Sequence, residues 1–597
     1  MSSASSKVAQ ETLPGVHAPT LCAAFQATAA AFPDLIALRT PHDGMQLTWA
    51  QYAERVERVA AGLSALGVAH GDTVGLMLRN RPEFHLCDTA AMHLGAVGFS
   101  IYNTSSPAQI EYFLQDAATR VLITERAFLP TLADALPNCP SIEHLVVVDG
   151  GAEDRQGALS LGGLESAGED SFDFVGAWSA VEPEDLLVLV YTSGTSGPPK
   201  GVELTHENLM WEIRALHELI PAVVAGERIA SYLPMAHAAE RCFSHYHAIP
   251  RAVTVTCVDE PQSIVSALGD VRPSWFLGMP RVWEKLRTAV TLGADEPTRR
   301  ALDAAGARAA LEIRGEPLPA DVVTAAETAE RDVLMPLRRA IGLDCVKVAL
   351  VGGAPTMPEV IEFFAAFGTP LTEVWGMTEL SAIVTVNLPE SMRLGTVGQA
   401  FPGAEVRIAE DGEILVRGPV VMHGYRNRPD ATAETIDPDG WLHTGDVGDL
   451  DQDGYLRIVD RKKELIINSG GKNMSPANIE AQVKLASALV AHVVAVGDRR
   501  PYNVALVVVD PATAGGRTAE DPGLREEIRD AVRHANRALS RIEQIKRLTI
   551  LVEDWKPSGP QITPTMKLRR KWIAERYEEL IDELYASSPP AHCVEVG

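Results

Sequence analysis

Apolar positions along the chain fall into two periods that exchange with one another. The run Leu186–Val190 reads as a buried strand, Gly201-Val-Glu-Leu leaves the following turn with a period of two, and a helix is expected from about Glu207. Upstream, Leu21 to Leu66 reads as helices around a short extended piece. Thr48 is placed to cap the helix that carries Tyr52, Val56, Val59 and Leu63. Thr73–Leu78 is a second buried strand, Glu83–Leu94 a helix, and Ile101–Ile110 a turn-rich passage. The Gly-, Ser- and acid-rich residues 150–176 are expected to form a surface connection. Val346–Val351 is another strand, and a long Ala- and charge-rich helical stretch runs up to about Leu343. Near the end, Leu568, Trp572, Ile573, Tyr577, Leu580, Ile581 and Leu584 recur at three- and four-residue steps, predicting a closing amphipathic helix. This alternation of strand and helix predicts an α/β fold.

Composition narrows the class. The chain has 597 residues, 46% hydrophobic and 22% charged, which is globular and too long for one ordinary domain. A polar, basic junction, DQDGYLRIVDRKKELI, marks a hinge before a new αβ segment. A net charge of -26 argues against nucleic-acid binding, which needs a basic footprint. The seven cysteines lie far apart without a CxxC pair, which fits a reducing cytoplasm and no structural zinc. With no apolar signal core and no apolar run of spanning length, a soluble cytoplasmic protein is expected. The basic start of the last helix leaves peripheral contact with a membrane surface open. Nothing in the sequence sets an oligomeric state.

The densest chemistry lies in YTSGTSGPPKG, Tyr191–Gly201. Gly194 and Gly197 remove side chains where backbone must approach a ligand, Thr192, Ser193, Thr195 and Ser196 offer hydroxyls, and Lys200 supplies a cation. Together they suit a triphosphate. A Walker A loop is excluded because Pro199 and Gly201 flank the lysine where glycine and Ser or Thr are required. A plain surface loop is the alternative. The two glycines of GGAPT, Gly352–Thr356, let backbone lie against a flat base or a phosphate. In GWLHTGD the Asp446 carboxylate can accept both hydroxyls of a ribose, or can be a turn aspartate.

The loop at Tyr191–Gly201 resembles the phosphate loop of the adenylate-forming (AMP-binding) superfamily, and other stretches resemble its long-chain fatty acyl-CoA synthetases. The resemblance implies a large N-terminal adenylation domain of layered sheets and helices, residues 1–460, with an acyl pocket. A small mobile α+β C-terminal domain, 461–597, would turn about Lys463. VWGMTEL is similar to a motif whose aromatic, here Trp375 in place of tyrosine, stacks on adenine beside Gly376. Thr378 of that motif meets the α-phosphate and Glu379 holds Mg²⁺. Gly353, Ala354 and Pro355 would line the nucleotide, and Arg461 would reach the ribose. Ser469, Gly470, Gly471 and Lys472 would approach CoA, and Lys567 of ITPTMKLRRK matches the catalytic lysine.

LPMAHAAER resembles the segment at the carboxylate end of the acyl pocket and nominates His237, with Thr192, Glu379 and Lys567, for the reaction centre. GMPRVWEKL adds to the likeness to the long-chain branch. The expected partners are therefore a medium- to long-chain fatty acid, MgATP and CoA. Alternatives at this stage are an acyl-AMP ligase serving a separate carrier protein, an aryl or amino acid activator, and a non-catalytic acyl- or nucleotide-binding protein. About 30 residues follow Lys567, too few for a carrier domain of at least about 50.

Overall fold

The computed structural model describes residues 13–150, 153–192, 198–221, 223–468, 473–556, 559–563 and 567–596. The chain forms two compact units. The first comprises Met1–Arg407, Leu415–Thr444 and Leu450–Arg457, and the second Ile408–Ile414, Gly445–Asp449 and Ile458–Gly597.

Two large mixed sheets build the first unit. One has eight strands in the order Gly424–Tyr425, Lys200–Thr205, Leu186–Thr192, Val97–Ser100, Thr73–Met77, Val121–Thr124, His144–Val147 and Leu159–Ser160. Its inner pairs are parallel, and every residue of Thr73–Met77, Val97–Ser100 and Val121–Thr124 is buried. Such strands, covered on both faces, read as unbroken apolar runs. The other sheet has nine strands, with Leu371–Trp375, Val348–Val351, Trp275–Gly278, Arg228–Ser231, Thr254–Cys257 and Ile36–Arg39 parallel in that order. The expected Thr48 cap is present, and the structure adds a second at Thr205. Thr48 accepts from Gln51 N in a reciprocal capping box at the head of Trp49–Ala65, and Thr205 does the same with Asn208 for His206–Leu219.

Residues 150–176 are less of a surface connection than their composition predicts. Leu159–Ser160 adds an edge strand, Leu161 and Leu164 of the next helix are buried, and Phe174 stacks on His93. Three apolar side chains spaced among glycines and acids are enough to tie the segment down.

The second unit is a four-stranded sheet, in the order Val490–Val496, Asn503–Val509, Ile545–Val552 and Val594–Glu595, with helices on both faces. Val493, Ala495, Ala505 and Val507 meet Ile479 of helix Pro476–Ala486 and Leu524, Ile528 and Val532 of helix Pro522–Ala538. Val494, Leu506 and Val508, one residue out of phase, meet Ile573, Tyr577 and Ile581.

The closing helix expected from the last apolar repeat is instead two short helices, Arg570–Arg576 and Glu578–Glu583, broken at Tyr577, after which Val594–Glu595 pairs with Ile545–Val552. Its apolar stripe docks on its own sheet. The basic start is partly used up internally, because Arg570 is ion-paired to Glu464 and Glu480. No helix among the described residues is long and apolar enough to cross a membrane.

Candidate nucleotide and acyl site

Four of the motif-bearing stretches share one edge. LPMAH follows the strand Arg228–Ser231, GMPRV overlaps the end of Trp275–Gly278, GGAPT follows Val348–Val351, and WGMTE begins at the end of Leu371–Trp375. These strands are adjacent and parallel, so their carboxyl ends open on the same side of the sheet. Ligands of open α/β sheets bind at that edge, where the loops leave the strands.

Backbone there is drawn tight. A Cβ on Gly352 would lie 2.8 Å from Val374 O, and one on Gly376 would lie 2.3 Å from Ala382 O and 2.5 Å from Ile383 Cα. Gly353 has φ +82°, a conformation that suits glycine. Ala354 and Pro355 beside it are exposed. After Trp375 the chain makes a compact loop in which Thr378–Leu380 is a single 3₁₀ turn. Ser381 and Ala382 then take φ 57° and 105°, positive for non-glycine residues. Backbone strain of this kind persists only where surrounding contacts impose it. Ser381 Oγ donates to Val420 O at 2.8 Å, and Val384 N to Trp375 O at 2.9 Å. Trp375 and Glu379 are buried and Thr378 is half-buried.

The phosphate-loop candidates divide. Thr192 and Lys200 face each other at the base of an antiparallel pair, with Thr192 Oγ1 3.4 Å from Lys200 O. Tyr112 OH pins Pro199 O at 2.7 Å. Ser193, Gly194, Thr195, Ser196 and Gly197 lie outside the described residues.

A residue not singled out from sequence joins this loop to the WGMTE turn. Tyr425 donates its hydroxyl to Glu379 Oε1 at 2.8 Å, and the Lys200 ammonium sits 4.4 Å from the centroid of the same ring. Its neighbours HGYRN carry no turn or ligand signature. Only the strand pairing of Gly424–Tyr425 with Glu203 and Val202 reveals it.

His237 starts the short helix Ala238–Glu240, its Nδ1 accepting from Ala239 N at 3.1 Å. The segment behind it is anchored by fully buried charges. Glu240 Oε1 accepts from Tyr232 N at 3.1 Å, from Ser244 Oγ at 2.6 Å and from Asn80 Nδ2 at 3.5 Å. Burial pushes the Glu240 carboxyl up to about 7, against the pull of the hydroxyls of Ser244 and Ser231.

Arg241 opens a π-helix, Arg241–Tyr246. Its guanidinium meets Asp88, Ser100 Oγ at 2.8 Å and Tyr246 OH at 2.8 Å, while His245 Nε2 lies 3.1 Å from Asp88. Burial works against the Asp88 charge, but Arg241, His245 and Tyr246 together hold its carboxyl below the ordinary value. The wider turn of a π-helix, bonded i to i+5, brings positions five apart, Arg241 and Tyr246, onto this one carboxylate. Gly98 leaves room for them, since a Cβ there would be 2.2 Å from Asp88 Oδ1.

In the second unit, Asp446 and Arg461 are paired, Nε to Oδ1 at 2.7 Å, with Asp446 buried on a strand rather than in a turn. Lys462 N donates to Gly445 O at 2.8 Å, and Lys462 Nζ reaches Glu413 at 2.9 Å, which binds these two stretches together. Lys463 is exposed at the next turn. Ser469, Gly470, Gly471 and Lys472 fall outside the described residues, but Ser475 caps the following helix with Pro476 at its first position.

Lys567 is exposed and joined to Thr563 by two bonds, Lys567 N to Thr563 Oγ1 at 3.0 Å and Thr563 N to Lys567 O at 2.8 Å. Three residues on, Arg570 forks onto both oxygens of Glu480 at 2.5 and 2.8 Å and reaches Glu464 at 3.1 Å. The lysine loop is thereby tied to the turn that carries Lys463.

Comparison with known proteins places this arrangement. Residues 25–426 match a family model described as AMP-binding enzyme, and residues 463–589 one described as AMP-binding enzyme C-terminal domain. The chain is 47% identical to fadD11 of Mycobacterium tuberculosis over 452 residues, covering 72% of this chain and 79% of the relative. It is 35% identical over 578 residues to the long-chain-fatty-acid–CoA ligase FadD15 of Mycobacterium bovis, covering 93% and 95%. Among solved structures, the O-succinylbenzoate coenzyme A synthetase of Bacillus subtilis, in complex with ATP and magnesium ion, matches with a TM-score of 0.68 at 21% identity, covering 92% of this chain and 98% of that chain.

Proposed function

The chain belongs to the AMP-binding enzyme family, and from that premise we propose that it activates a medium- to long-chain fatty acid with ATP and passes the acyl group to CoA. The observation that carries the reading is the gathering of LPMAH, GMPRV, GGAPT and WGMTE at one carboxyl edge of one sheet. The likeness to FadD15 along 93% of the chain gives the substrate class.

A carboxylate oxygen attacks the α-phosphorus of ATP and pyrophosphate leaves. The thiolate of CoA then attacks the acyl carbon and AMP leaves. The first step joins anions, so it needs alignment and charge neutralisation more than a strong base. In this reading Lys567 neutralises the α-phosphate, Thr192 and Lys200 flank the loop that holds the terminal phosphates, and Trp375 stacks on adenine. Asp446 and Arg461 take the ribose. His237, Glu240 and Arg241 belong to the acyl side, His237 at the carboxylate and the other two holding its segment. The second unit turns about Lys463 between the half-reactions, carrying Lys567 away and bringing residues 469–472 to CoA.

Glu379 fits magnesium. It is a buried hard-oxygen donor, and among the described residues no group of three or more His, Cys, Asp or Glu side chains could hold a metal by itself. Mg²⁺ takes one or two carboxylates together with substrate phosphates and water, and when bound it supplies charge neutralisation at those phosphates. Carboxylate-dependent pyrophosphate release, measured with acids from acetate to very long chains, tests the proposal. Release should peak at medium to long chains, with AMP and acyl-CoA accumulating only when CoA is present. Release confined to aryl or amino acids, or adenylate formed but never transferred to CoA, would overturn it.

A further inference from the structure

We propose that Tyr425 is a positioning residue of the nucleotide site, its ring seating the Lys200 ammonium and its hydroxyl fixing the Glu379 carboxylate. One side chain then sets both the cation for the terminal phosphates and the carboxylate for the metal. The proposal rests on the roles just assigned to Lys200 and Glu379.

Three elements meet at this residue. Gly424–Tyr425 adds an antiparallel edge strand to Lys200–Thr205, with Tyr425 opposite Val202. Lys200 and Val202, two apart on a strand, share a face, so the tyrosine ring is the diagonal neighbour of the lysine. Arg426 N donates to Gly201 O at 2.8 Å and Tyr425 N to Thr432 Oγ1 at 2.9 Å, which fix the backbone on either side of the ring. Met422 N donates to Glu379 O at 3.0 Å and carries the 3₁₀ turn of Glu379 to the same place. The ring is 7% exposed.

An ammonium and a carboxylate that touch one phenol would, with the phenol removed, be drawn toward each other, and an ion pair between them would withdraw both from the phosphates and the metal. Tyrosine attracts each by a different part. The ring face holds the cation by its quadrupole and the edge hydroxyl donates to the anion, so the two charges stay apart and oriented. The hydroxyl reaches Glu379 through Oε1, which fixes the direction of Oε2.

Full-length Tyr425→Phe, Tyr425→Leu and Glu379→Gln proteins test this without turnover. Mn²⁺ binding to the ATP-bound protein, followed by electron paramagnetic resonance without fatty acid, reads the carboxylate. Metal-free binding of inorganic pyrophosphate, followed by calorimetry, reads the lysine. Tyr425→Phe should raise the Mn²⁺ concentration at half-saturation about tenfold, the expected scale for one hydrogen bond to a charged group, and leave pyrophosphate binding in place. Tyr425→Leu should weaken both.

Wild-type Mn²⁺ binding by Tyr425→Phe, while Glu379→Gln is impaired, overturns the role of Tyr425 alone. Unchanged Mn²⁺ binding by Glu379→Gln overturns the reading of Glu379 and the proposal with it. If Tyr425→Leu melts well below the wild type, the outcome is decided by Tyr425→Phe, which conserves the ring.

Discussion

Arg570→Met separates positioning of Lys567, the lysine proposed for adenylation, from stability of the domain that bears it. In the wild type, the guanidinium places two nitrogens on the two oxygens of Glu480 at 2.5 and 2.8 Å and a third on Glu464 at 3.1 Å. Glu480 is nearly buried, its side chain 8% exposed, and it also accepts from Ala495 N at 2.9 Å. Removing the arginine strands that carboxylate. Breaking a buried pair costs about 3 to 5 kcal/mol. With the Arg570 side chain 21% exposed and Glu464 30% exposed, solvent screening places the loss near the low end, about 3 kcal/mol in urea unfolding.

The catalytic consequence is separate. Arg570 heads the helix that follows the Lys567 loop, and Arg569 N donates to Gln561 O at 2.8 Å just before it. Losing the anchor lets the loop shift, and a misplacement of about 1 Å is worth about 10² in rate. Adenylation, read as the pyrophosphate burst with ATP and fatty acid, should fall by about that factor, while thioester formation from supplied acyl adenylate changes little. Adding Glu480→Gln removes the stranded charge, so the double variant should regain stability without regaining adenylation. Equal loss of the two half-reactions in folded Arg570→Met, or adenylation restored together with stability in the double variant, refutes the reasoning.

Lys567→Ala should lose about 10² to 10³ in the adenylation half-reaction and retain conversion of acyl adenylate to thioester. Rapid-quench measurement of both steps checks it, and parallel loss removes the lysine from its role. Gly376→Ala places a methyl 2.3 Å from Ala382 O and 2.5 Å from Ile383 Cα, backbone on both counts. It should cost about 1 to 3 kcal/mol and raise the KM for ATP, read by thermal melting and steady-state kinetics; unchanged values would mean that the WGMTE loop relaxes freely. Glu240 gives a pH signature. Its folded carboxyl titrates at about 7 against 4.5 in the open chain, so the folded state holds the proton through that interval and wild-type stability declines as pH rises across it, by about 3 kcal/mol in all. Glu240→Gln keeps an acceptor where Tyr232 N, Ser244 and Asn80 converge and has no proton to lose, so the decline between pH 4.5 and 7 should shrink in its melting curves. An unchanged slope assigns the titration elsewhere.

The strands at Thr73, Leu186 and Val348 were legible because each is an apolar run covered by the rest of its sheet. In TVGLM and LLVLV only Thr73 is polar, too little to compete with an extended, covered reading. The Thr48 cap was legible for a similarly local reason, since its side chain bonds within three residues of itself. The end of the chain was not. Seven apolar residues at helical steps describe a face to be buried, but not that the helix breaks at Tyr577 or that Val594–Glu595 completes a sheet formed mostly by earlier strands.

Within the candidate site the same distinction holds. GGAPT could be marked from its own glycines, and WGMTE from its likeness to a family motif, because both are short contiguous stretches. Tyr425 could not, because its position depends on pairing with a strand more than two hundred residues earlier, a distance that Arg426 and Glu203 span with a 3.2 Å ion pair. The buried Asp88, Arg241 and His245 cluster is the intermediate case. LPMAHAAER drew attention to its segment through His237, but a carboxylate on Pro82–His93 is what gives Arg241 a reason to be buried, and Gly98 is the glycine that makes space for the pair. Residues that meet a ligand directly tend to carry their signal in sequence, since the ligand's chemistry dictates the side chain. Residues that hold those side chains in place are dictated by the fold, and in this protein they lie on the edge strand at Tyr425, the π-helix at Arg241 and the fork at Arg570. Substitutions at these three places should therefore alter affinity for metal, acid or the adenylation step while leaving the side chains assigned to the ligands themselves intact.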